Sequence, residues 1–135
     1  MCIWSLLEER TGALTYHVGW EDAERTVYHL KLCGRWTWEE WSKAYKESYL
    51  TIEQTNHAVD LICSIEDNIP KGNAVPHLKF VATNQPANLR YTLLVNQVGA
   101  FFSELVNALN QQMGWRGLVV FEMLEDAYSF IDQNR

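Results

Sequence analysis

No apolar run in this chain approaches the roughly 18 residues that a membrane-spanning helix needs, so no membrane span is expected. Dense Lys/Arg clusters are missing too: 11 basic residues are scattered among 17 acidic ones, for a net charge of −6. A nucleic-acid surface needs gathered cations to displace counterions, which excludes nucleic acid as the expected partner. Cysteine is sparse and odd in number, at Cys2, Cys33 and Cys63, and has none of the spacings that hold a metal. A reduced, cytoplasmic setting follows as the expectation, with no metal and no cofactor. The first ten residues lack a basic start and meet Glu8 and Glu9 early, so they do not read as a signal peptide. Repeats and low-complexity tracts are missing. What remains is 135 residues, 47% apolar and 21% charged, enough for one core and not two.

The charge is unevenly placed. Residues 1–67 carry twelve acids and six bases, whereas residues 68–135 carry five of each. Residues 1–14 show no clean period and read as an N-terminal appendage. Its Ile3, Trp4, Leu6 and Leu7 need a surface to bury against, which predicts a homodimer. From residue 15 to 135 the pattern is that of a single domain. Tyr16, Val18 and Trp20 alternate with polar residues and glycine, as do Tyr28, Leu30 and Leu32 after a polar stretch, giving two strands joined by a turn.

Thr37 and Glu40 have the spacing of a capping box, with Trp36 and Trp41 at the two ends of a hydrophobic staple. The helix they start carries Trp38, Trp41, Tyr45, Tyr49 and Ile52 on one face. Val59 to Ile65 is nearly all apolar and suits a strand covered on both sides. Asn73 is expected to cap a helix through Asn84, followed by a strand from Leu89 to Asn96. A helix from about Val98 to Gly114, a strand from Leu118 to Met123 and a helix from Glu125 complete the chain. The order β-β-α-β-α-β-α-β-α predicts an α/β fold: a mainly parallel five-stranded sheet with helices packed on it.

Little in this frame reads as chemistry. His17 and His29 fall on the non-core faces of their strands and are expected to be exposed. Glu66 and Asp67 end the central strand, at the carboxyl edge where open α/β sheets bind ligands, and could serve as a base or hold a cation. The simpler reading is a solvated strand end. Cys33 and Cys63 read as inert core thiols. Trp36, Trp41, Tyr45 and Tyr49 read as core, while the first-turn Trp38 is expected to stay partly exposed and could line a ligand site.

The strand-glycine opening Leu32-Cys33-Gly34, the central strand from Val59 to Asp67 and the closing Leu124 to Tyr128 together resemble the STAS domains. This is the anti-sigma-factor-antagonist-like family, whose fold is shared with the Sec14-like lipid-binding domains. The resemblance covers about residues 15–134 and implies a non-catalytic switch, with partner binding controlled at the loop after the central strand. In the bacterial antagonists a phosphorylatable hydroxyl opens the following helix. Here residues 68–76 contain no Ser or Thr, so that switch does not carry over.

Three readings follow, in this order. The first is a regulatory or protein-interaction module, not an enzyme, that binds an unidentified protein partner through Asp67, Asn68, Lys71, Gly72 and Asn73. The second is a Sec14-like carrier or sensor of a small apolar ligand. The third is a small enzyme using Glu66 or Asp67.

Overall fold

A computed structural model describes residues 16–65, 70–96 and 100–135. The expected appendage, and the dimer contact read into it, lie outside the described residues. Among the described residues, five strands form one sheet in chain order: β1 (Tyr16–Trp20), β2 (Val27–Leu32), β3 (Val59–Ile65), β4 (Leu89–Asn96) and β5 (Leu118–Phe121). The opening strands are neighbours. β1 runs antiparallel to β2 with Val18 opposite Leu30, and every later pair is parallel. The turn between them is held by Asp22, whose carboxylate accepts from the Thr26 and Val27 amides at 2.9 and 3.1 Å and from the Thr26 hydroxyl.

The helices among the described residues are α1 (Trp38–Glu53), α2 (Val75–Thr83), α3 (Ala100–Met113) and α4 (Leu124–Gln133). The main core joins Leu30, Leu61 and Leu94 to Trp41 and Tyr45 of α1, Leu78 of α2 and Val106 of α3, which places these helices on one face. On the other face α4 sets Ala127 and Ile131 against Val27, Ile62, Leu93 and Val95. Covered on both sides, β3 is buried along its whole length. That is why its sequence runs apolar instead of alternating.

Several boundaries differ from the sequence expectation. Asn73 does not cap α2 directly; its side-chain oxygen accepts from the Val75 amide at 3.1 Å, one step ahead of the cap position Ala74. β5 stops at Phe121, and Met123, which was expected to close that strand, is instead the N-cap of α4. The capping box of α1 forms in both directions: Thr37 Oγ1 accepts from the Glu40 amide at 3.2 Å, and the Glu40 carboxylate accepts from the Thr37 amide at 3.0 Å. The staple gains a third ring. Trp36 and Trp41 each pack edge-on against Trp38, at centroid distances of 5.1 and 5.4 Å.

Candidate functional site

The loop after β3 was the expected site. Asp67 and Asn68, with Glu66, lie outside the described residues. Lys71, Gly72 and Asn73 are exposed and sit directly ahead of α2. Gly72 has φ +115°, a conformation that side chains rarely adopt, and a Cβ built on it would lie 3.7 Å from Trp38 Cδ1. The loop is thereby laid against the start of α1. It also explains a correction: Trp38, expected to be partly exposed, is only 4% exposed and belongs to the core.

Behind the loop, α1 and α2 enclose a groove of about 390 Å³. Glu39, Ser42, Lys43 and Lys46 form its α1 wall, and Pro76, His77 and Phe80 its α2 wall. The spacing 39, 42/43, 46 follows the helical repeat, so these residues share one face of α1. Ser42 Oγ and His77 Nδ1 share a hydrogen bond of 2.6 Å across the groove, and the imidazole stacks on Trp38 at 6.2 Å between centroids. The Lys46 ammonium lies over the Phe80 ring, 5.1 Å from its centre. Neither Lys43 nor Lys46 makes an ion pair among the described residues.

Two other concavities lie at the opposite edge of the sheet, and most of their polar side chains are already engaged. In one, of about 590 Å³, Arg116 donates to the Pro86 carbonyl, His57 Nε2 bonds the Arg25 carbonyl, and Asn88 donates to the Ile52 and His57 carbonyls. In the other, of about 160 Å³, Arg90 pairs with Asp60. Both are framework.

His29 is not exposed, as its alternation suggested, but buried at 6% exposure under the α4 side of the sheet. Its Nδ1 is hydrogen-bonded to the Glu21 carboxylate and its Nε2 lies 2.6 Å from Ser64 Oγ. Tyr128 of α4 donates to the same carboxylate at 3.1 Å. Burial, together with the Glu21 charge and hydrogen bond, pushes the Tyr128 hydroxyl up to about 12. Acid, imidazole and hydroxyl follow one another in the order of a nucleophilic triad. An attacking oxygen needs open space before it, however, and Ser64 is 3% exposed. The set ties the β1–β2 turn to β3 and α4. Sequence spacing could not reveal it, since 35 residues separate His29 from Ser64.

Cys63 is fully buried, and burial pushes its thiol up to about 11. It is no nucleophile at neutral pH. Cys33, expected as a free core thiol, is disulfide-bonded. Among the described residues, no three His, Cys, Asp or Glu side chains could hold a metal ion, and no helix is long and apolar enough to cross a membrane. The chain matches no family model, no curated protein and no solved structure.

Proposed function

We propose that the protein is a regulatory or protein-interaction module of the STAS-like type, non-catalytic at this surface, which docks a partner on residues 71–73 and the α1–α2 groove. One observation carries the reading. Among the described residues, the groove combines exposed cations that make no ion pair with an apolar wall, whereas His29 and Ser64, Asp60 and Arg90, and Cys63 are buried or bonded to one another. Interfaces use polar rims around apolar contact, and need no activated atom.

Ring packing supports this reading over the carrier of an apolar ligand. Trp41 and Tyr45 lie 4.6 Å apart and Tyr45 and Tyr49 5.6 Å, so the stripe fills its own interior. The strand-helix order and the single antiparallel edge strand are compatible with a STAS-like module. The test is affinity capture from host lysate with wild type, Lys71→Glu and Asn73→Lys. The reading predicts a partner lost from both variants; capture that survives both changes contradicts it.

A further inference from the structure

We propose that the α1–α2 groove takes an acidic stretch of a partner polypeptide, with Lys43 and Lys46 pairing with its carboxylates. The proposal rests on the interaction reading above and names the chemistry of the partner. Lys43 and Lys46 are three residues apart on α1, so they share one face of the helix with their Cα atoms about 4.5 Å apart along the axis. Like charges so placed repel each other unless a counter-charge lies between them.

No acid of α1 makes an ion pair with either lysine among the described residues: Glu39, four residues before Lys43 on the same wall, forms none, Glu40 turns back into the capping box, and Glu47 accepts from the Tyr16 hydroxyl at 3.2 Å. The flank on the other wall is basic as well: residues 70–83 include Lys71 and Lys79, both exposed, and no acid. On a chain of net charge −6, this is a local positive surface, which steers acidic partners toward it.

The form of the groove favours a chain over a single small anion. Ser42 Oγ and His77 Nδ1 bond each other across it, so the charged donors offered to an anion are the flexible, exposed ammonium groups of Lys43 and Lys46. Successive carboxylates along a polypeptide can meet Lys43 and Lys46 in turn while apolar side chains rest on Pro76 and Phe80. Glu39, at the loop end of the α1 wall, sets the direction: the partner's acids belong at the Lys46 end.

The test is fluorescence anisotropy of the full chain with three probes. These are a labelled 14-residue peptide alternating Glu and Leu, its Lys-for-Glu counterpart, and a single-stranded DNA of equal charge. The proposal predicts saturable binding of the Glu peptide, weakened tenfold or more by the double change Lys43→Glu and Lys46→Glu. Arg135→Glu, on the far edge, leaves it unchanged. The Lys peptide gains affinity for the double variant in turn, a swap that misfolding could not produce. No binding of the Glu peptide, binding indifferent to the double change, or tighter binding of DNA overturns the acidic-partner assignment. If the assignment fails while lysate capture still depends on Lys71 and Asn73, the interaction reading stands and only the partner's chemistry is wrong. If capture is also indifferent, both fall.

Discussion

Truncating Arg90 should cost more than truncating its partner Asp60, although each change removes the same ion pair. The pair sits at an irregularity in the sheet. Val59 lies opposite Leu89 but Leu61 opposite Thr92, so Arg90 and Tyr91 both face Asp60. Such a bulge leaves one backbone donor outside the ladder. Here the Tyr91 amide donates to the Asp60 carboxylate at 3.2 Å, and the Arg90 guanidinium forks onto both of its oxygens at 2.9 and 2.6 Å. The side chain of Asp60 is 4% exposed and that of Arg90 is 36% exposed.

That asymmetry decides the magnitudes. Arg90→Ala leaves a buried carboxylate with one amide donor, and stranded buried charges cost about 3–5 kcal/mol. Water entering where Arg90 lay favours the lower end, about 3 kcal/mol. Asp60→Ala leaves a guanidinium that can turn to solvent, and its main cost is the Tyr91 amide left without its acceptor, so about 1–2 kcal/mol is expected. The double variant should lose clearly less than the sum of the two. Urea melts followed by tryptophan fluorescence measure all three. With a slope near 1.5 kcal/mol/M, the Arg90 change moves the midpoint by about 2 M. Equal losses for the two single variants, or strictly additive ones, would refute the reasoning.

Thr37→Ala and Glu40→Ala should each destabilise the fold, the first by about 1 kcal/mol, since each removes one arm of the capping box; melts that match wild type would contradict this. Gly117→Ala should be costly, because Gly117 has φ +71° and an added Cβ would lie 2.3 Å from the Arg90 carbonyl oxygen. A loss of about 2 kcal/mol or more is expected in the same melts, well above that of Gly114→Ala, where the Cβ meets open space. Burial raises the Asp22 carboxyl, but hydrogen bonds from the Thr26 hydroxyl and the Val27 and Thr26 amides outweigh it and hold the group below the ordinary carboxylate range. A depressed carboxyl stabilises the fold above its unfolded value of about 3.9, and the contribution fades as pH falls further. Wild type should therefore lose more stability between pH 5 and pH 2 than Asp22→Asn, measured by thermal melts across that window.

Local signals were legible in the sequence and distant ones were not. The Thr37–Glu40 box and the all-apolar β3 each follow from a few neighbouring residues, and each appears in the fold. His29 was misread because alternation assigns a residue to a face without saying what covers that face. Here α4, far along the chain, closes over it. Trp38 was misread for a similar reason: its cover is the Gly72 loop, which approaches only once α2 is docked. The Ser42–His77 bond and the Asp60–Arg90 pair join residues 35 and 30 positions apart. No spacing rule links them; they exist because the sheet order sets α1 beside α2 and β3 beside β4.

Photo-crosslinking within the host cell tests the interaction surface most directly. A benzophenone amino acid is placed at Lys43 or Lys79 beside the groove, and at Tyr128 or Arg135 away from it. The account predicts a discrete higher-mass adduct from the first two positions and none from the other two. Adducts confined to Tyr128 or Arg135, or none at Lys43 and Lys79, would contradict it.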